Sequence, residues 1–381
     1  MTVNPASSVS ETAPVDARQA LRPPVAADGS PVQMRLLDPQ TDITAACKLF
    51  TDVFGAPMSE ATWRWKYMEA PGSSHYHAVA MHAGSGEMLG HMGVIILPGV
   101  RGSQSIRMAH ATDLMISPLA RAGIGPDGVY RHIMHSVRHH AHDAGPDAPP
   151  LFMYGFPGQR PATLAMRLGI QRRLQICSEY TTASAAVEPA KGWGRALWDR
   201  MRGGPARLVA QAQAATPDAW SDSLLDPVWQ RYHTELEEHS RRHPHLARPS
   251  TVKNGAYLRW RYLEHPLQQA ALGAGETPPY TLWSLRKEGG DGSHPVEGWL
   301  ITRQMAQPTV VDSCLPGGAD AVAPALQALP VPSGGQPWVS WLQHPGAQAR
   351  DTLVWATAMC GAQFHDTWPG PQFQPGDTDV F

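Results

Sequence analysis

Arg64-Trp65-Lys66-Tyr67-Met68-Glu69-Ala70-Pro71 returns almost intact as Arg259-Trp260-Arg261-Tyr262-Leu263-Glu264-His265-Pro266, with five of eight positions identical and two more conservative. Self-similarity of this kind marks a duplicated unit. The flanks agree. Residues 76–96 alternate, turn at Gly84-Ser85-Gly86 and alternate again through Gly90 and Gly93. Residues 280–304 do the same around Gly289-Gly290-Asp291-Gly292, passing Gly298. Both stretches predict β-hairpins, with a longer tip in the second. Because the octamer sits in both copies, its expected role is structural. Trp65, Tyr67, Trp260 and Tyr262 are large amphipathic anchors at a helix end, and the closing proline forces the chain out of the helix.

Working outward from the first octamer, the pattern predicts a strand over 32–38, helices over 42–55 and 59–69 with Ser59 as a cap, and the hairpin over 75–100. A strand over 106–117, a Gly-rich turn, a helix over 128–144, a strand over 151–156, a helix over 160–168 and a strand over 172–183 complete the unit. The second copy keeps a strand at 309–315, a helix at 319–328, a strand at 337–342 and a helix at 347–360. The class is therefore α/β with a mixed sheet, in two tandem domains. The expected boundaries are a disordered tail at 1–31, a first domain at 32–185, a helical linker at 186–225 and a second domain at 226–381. The tail is expected because its Ala-, Pro-, Ser- and Val-rich run has no hydrophobic period to offset ordering entropy.

Composition excludes several functions. Two domains suit 381 residues. A formal net charge of −2 without a basic block gives no footprint for nucleic acid. No run of about 18 apolar residues predicts a membrane span, and no basic start leads into an apolar run as in a signal peptide. Cys47, Cys177, Cys314 and Cys360 are far apart, so reduced thiols in the cytoplasm are expected. The helix at 128–144 carries His132, His135, His139, His140 and His142. His135 and His139 have the i, i+4 spacing of a metal pair, but no H-E-x-x-H pattern or third ligand accompanies them, so a polar helix face is expected and no metal.

The richest stretch is Ala111-Thr112-Asp113-Leu114-Met115-Ile116-Ser117-Pro118, then Ala120-Arg121-Ala122-Gly123-Ile124-Gly125 and a helix. A strand running through glycines into a helix N-terminus makes a concave row of N–H groups that suits a pyrophosphate. Together with Tyr154-Gly155-Phe156-Pro157 and Met166-Arg167-Leu168-Gly169-Ile170, this order resembles the Gcn5-related N-acetyltransferase (GNAT) superfamily. The similarity spans most of 32–183 and, more weakly, 226–365. The resemblance implies an acyl-CoA-dependent N-acyltransferase, with acetyl-CoA or another acyl-CoA as co-substrate and a small-molecule amine as acceptor. It places the pyrophosphate on Arg121, Ala122, Gly123, Ile124 and Gly125. The family loop reads [Q/R]-x-x-G-x-[G/A]; here Ala120 holds the first position and Arg121 lies one residue late.

Acyl transfer needs a base, a donor to the thioester oxygen and an acid for the thiolate. The resemblance puts Asp113 in the place of the base, with His110 and His91 as further candidates. A buried structural carboxylate is the equal alternative for Asp113, since Asp312 recurs in the other copy. Tyr154 is the candidate acid, with a core tyrosine as its alternative, and an N–H near Met115 or Ile116 is the candidate donor. Val311-Asp312-Ser313-Cys314-Leu315-Pro316-Gly317-Gly318 leaves no room for a similar cradle, so the second copy is expected to be degenerate. A FemABX-type aminoacyl transferase and a non-catalytic scaffold of the same fold are the rival readings. The oligomeric state is open.

Overall fold

The computed structural model describes residues 23–120, 128–142, 145, 147–181, 207–289, 295–304, 307–332, 334–343, 347–360, 364–365, 367–374 and 377. In the first copy β1 (Val32–Leu36), α1 (Ile43–Phe54), α2 (Glu60–Met68), β2 (Ser74–His82), β3 (Met88–Arg101) and β4 (Gln104–Ile116) are followed by α3 (Val129–His142), β5 (Leu151–Gly155), α4 (Gln159–Arg167) and β6 (Gln171–Thr181). α1 buries Ile43, Ala46, Cys47 and Phe50 on one face and ends at Gly55 in the left-handed region. α2 begins where the Ser59 hydroxyl accepts the Thr62 N–H at 3.0 Å.

The second copy runs β7 (Leu208–Ala212), α5 (Asp222–Arg242), β8 (Pro249–Thr251), α6 (Gly255–Leu258) passing into a π-turn at Arg259–Leu263, and α7 (Pro266–Ala274). β9 (Tyr280–Lys287), β10 (Gly298–Arg303), β11 (Thr309–Cys314), α8 (Ala319–Ala328), β12 (Val339–Ser340) and β13 (Gln348–Met359) complete it. Both copies share one sheet, ordered β1-β2-β3-β4-β5-β13-β6-β12-β11-β10-β9-β7, with β8 on β3. The order is palindromic. The last strand of each copy has crossed over: β13 lies between β5 and β6, and β6 pairs with β12.

The octamers meet at the centre of this arrangement. The Trp65 indole N–H donates to the Trp260 carbonyl and the Trp260 indole N–H donates to the Trp65 carbonyl, both at 2.9 Å. The two rings stack 5.7 Å apart in a core that draws residues from both copies.

Three expectations differ from the structure. The helix expected over 347–360 is strand β13. Ala347, Ala349, Ala356 and Ala358 favour helix, but Val354, Trp355 and Thr357 suit a strand, and the ladder partners on β5 and β6 decide. Residues 208–212, read as linker, form β7, which pairs with β9 as β1 pairs with β2. Within the segment read as a tail, Val25 bridges Pro31 and Ala26 is buried against the first copy's core; residues 1–22 lie outside the described ones.

Candidate active site

β4 and β5 pair in parallel from Arg107↔Leu151 to Ala111↔Gly155, where β5 ends while β4 continues to Ile116. Gly155 is required there, since a Cβ would stand 2.9 Å from the Ala111 carbonyl oxygen. Beyond this point the strands diverge, opening a cleft of about 270 Å³. Its walls include His110 to Leu114 of β4, Tyr130 of α3 and the Gly155–Gly158 segment after β5.

Here β4 carries an irregularity. His91 pairs with Met115 but Gly93 pairs with Thr112, so Met92 alone faces both Asp113 and Leu114. This is a β-bulge, and Asp113 adopts φ +50°, a costly conformation for a residue with a Cβ. Four side chains hold it, among them the Thr112 hydroxyl, which donates to an Asp113 carboxylate oxygen at 3.1 Å. The Lys66 ammonium reaches the two Asp113 carboxylate oxygens at 2.8 and 2.7 Å, and the Tyr67 hydroxyl donates at 2.5 Å. His91 donates from Nδ1 to the Asp113 carbonyl at 3.1 Å, which leaves its Nε2 to accept from His77 Nδ1 at 3.0 Å, a tautomer assignment that follows from the carbonyl partner. Burial raises the Asp113 pKa, but the Lys66 charge and the hydrogen bonds from Lys66 and Tyr67 outweigh it and hold the carboxyl below its ordinary value.

The arrangement recurs in the second copy, where Asp312 accepts from Lys253 at 2.6 Å and from Tyr262 at 2.8 Å. The Asp and Tyr are repeat-equivalent. The lysines are not, because Arg261 stands where Lys66 does and Lys253 comes from the segment before α6. Lysine at this carboxylate was thus reached by two different routes.

The expected site residues separate. Asp113 and His110 both line the cleft. His110 is buried and stacks on Tyr154, with its pKa pushed down to about 3 by burial and by the Lys66 and Arg261 charges. Tyr154 is not among the cleft residues. It packs with Phe156 and Phe373, and burial raises its pKa. His91 lies behind the bulge. Met115 is a core residue opposite His91, and Ile116 is opposite Gly90. Arg121, Ala122, Gly123, Ile124 and Gly125 lie outside the described residues. The sequence reading missed Thr112, Leu114 and Tyr130 as cleft residues and Lys66 as the partner of Asp113. Tyr130, pushed up to about 12 by burial, is a protonated hydroxyl on the cleft wall. Among the described residues no group of three His, Cys, Asp or Glu side chains can hold a metal, and no helix is long and apolar enough to cross a membrane.

No known family's sequence profile matches the chain, and no curated protein's sequence matches it. Solved structures do. A conserved protein of Enterococcus faecalis V583 described as a probable N-acyltransferase is 12% identical, with 86% of this chain and 72% of that one covered at a TM-score of 0.54. A GCN5-related N-acetyltransferase from Kribbella flavida is 13% identical, with 88% and 73% covered at 0.51. One from Anabaena variabilis is 13% identical, with 87% and 74% covered at 0.50. At these identities the likeness establishes the architecture: the chain has the GCN5-related N-acetyltransferase fold over most of its length.

Proposed function

We propose that the chain is an acyl-CoA-dependent N-acyltransferase of the cytoplasm whose donor lies in the first copy and whose acceptor is a small-molecule amine. The observation that carries this is the cleft at the divergence of β4 and β5, with the Asp113 bulge on its wall. The cleft suits an extended acyl-pantetheine arm. The bulge withdraws Asp113–Leu114 from the regular ladder, so that a backbone N–H beside the cleft can polarise the thioester carbonyl. The strand-to-helix loop at Arg121–Gly125 is the proposed pyrophosphate cradle, on sequence grounds.

In this reading the amine nitrogen attacks the thioester carbon, the C–S bond breaks and the thiolate leaves. The substrate enters as the free amine and the proton it sheds passes to water in the open cleft, while His110, whose protonation burial opposes, orients the amine by accepting its hydrogen bond. Tyr130 supplies a proton to the thiolate in place of Tyr154, which does not reach the cleft wall. Asp113 has its oxygens engaged by Lys66 and Tyr67, so its role is to hold the bulge, and it is a positioning residue.

The second copy takes no donor. The Gly317 N–H, at the turn that opens α8, donates to the Glu235 carboxylate at 2.7 Å, so a fixed negative charge sits where a phosphate would have to bind. The test is release of free CoA thiol from acetyl-CoA across a panel of primary amines. Tyr130→Phe should slow turnover by about 10²–10⁴, and His110→Ala, which removes a positioning group, should slow it by less. An absence of thiol release with every amine, together with an absence of acetyl-CoA binding, refutes the assignment.

A further inference from the structure

The first cleft is not the largest. In the second copy β11 and β12 share one registered pair, Thr309↔Val339, before they part, against five pairs between β4 and β5. The earlier divergence opens a second cleft of about 590 Å³, inside the roughly 300–1,000 Å³ span of small-molecule sites. The proposed chemistry does not use it.

Its walls sort by character. Leu315, Val322 and Leu342 give an apolar side. Arg242 and Arg248 lie at the rim, both exposed. Arg242 spans 3.5 Å to Glu238, and Arg248 has no ion-pair partner among the described residues. The buried Lys253 ammonium is already neutralised by Asp312 at 2.6 Å and Asp377 at 3.5 Å, so the charge available to a ligand is the arginines'. Glu235, about two helical turns before Arg242 on α5, accepts the Gly317 N–H and repels phosphate there.

We propose that this second cleft binds a small amphipathic carboxylate or sulfonate, its acidic group at Arg242 and Arg248 and its apolar body against Leu315, Val322 and Leu342, while Glu235 excludes the phosphate-rich acyl donor. The planar guanidinium fork matches an oxyanion, and an unpaired arginine at the mouth of a cleft with one apolar wall recognises a charge whose tail lies on that wall. The site stands apart from the reaction proposed for the first cleft.

The experiment uses the full chain and anilinonaphthalene sulfonate, whose fluorescence rises in apolar surroundings, with octanoate and acetyl-CoA as competitors. The expected result is saturable fluorescence displaced by octanoate and unchanged by acetyl-CoA. Arg248→Glu, at an exposed position, should weaken probe binding at least tenfold, and Val322→Trp, which fills the cleft, should abolish it in a protein that still melts cooperatively. Displacement by acetyl-CoA, or full binding by Arg248→Glu, overturns the proposal. Failure of acetyl-CoA to bind anywhere, with probe and octanoate behaving as expected, leaves this site standing and removes the acyltransferase reading alone.

Discussion

Replacing Lys66 with Met removes the counter-charge of Asp113 while keeping most of the buried chain length. Lys66 is fully buried and Asp113 is 7% exposed, so solvent cannot take over the role of the ammonium. An unpaired carboxylate in that position protonates instead, and the cost depends on pH. Holding a group neutral at pH 7 when its unfolded pKa is about 3.9 costs about 4 kcal/mol at 1.36 kcal/mol per unit. This agrees with the roughly 3–5 kcal/mol typical of breaking one side of a buried pair. At pH 5 the same calculation leaves about 1.5 kcal/mol. In the wild type the Asp113 pKa is lowered, so its contribution is fully present above the unfolded pKa and is lost only as pH falls through the folded one. The wild type should therefore hold that contribution constant between pH 7 and pH 5 while the Lys66→Met deficit shrinks. Urea melts at both pH values measure this, and the double variant Lys66→Met, Asp113→Asn should recover much of the loss. A Lys66→Met protein that matches the wild type at pH 7, or whose deficit does not change with pH, refutes the reasoning.

Trp65→Ala and Trp260→Ala should each cost about 3–5 kcal/mol in urea melts, and the double variant should lose less than their sum because each indole serves the other's backbone. Burial pushes the Cys47 and Cys177 thiols up to about 11 and buries Cys314 as well, so at pH 8 the native protein should react with a thiol reagent at no more than one of its four cysteines, and at all four in denaturant. Ala358→Asp places a charge at the fully buried C-terminal end of β13, beside β5, and should unfold both copies in one transition, since that strand completes the first copy's sheet; two separate melting steps would argue against the exchange.

Local signals in the sequence carried much of the fold. The duplicated octamer located the centre of the molecule, the alternating runs located both hairpins, and Ser59 located the start of α2. β13 was not legible, because its alanines favour helix and its partners, Gly155 and residues 171–181, lie far away in the chain. β7 is half exposed on a sheet edge, where hydrophobic patterning is weak. At the site, Asp113 stood out as an acid on a strand before glycines, but its partner did not. Lys66 sits inside the octamer, where a lysine looks like a helix surface residue, and only the packing of α2 on the bulge reveals it as the counter-ion. That Tyr130 and not Tyr154 lines the cleft has the same kind of reason. Which way a strand's side chains face depends on its neighbours, and β5 turns Tyr154 toward the aromatic cluster built with Phe373 from the far end of the chain.

The most direct test is calorimetric titration of acetyl-CoA into the wild type and into Thr112→Trp, whose bulk fills the first cleft from its β4 wall. One site per chain in the wild type and none in a variant that melts normally is the predicted result. Two sites per chain, no site in the wild type, or undiminished binding in Thr112→Trp would contradict it.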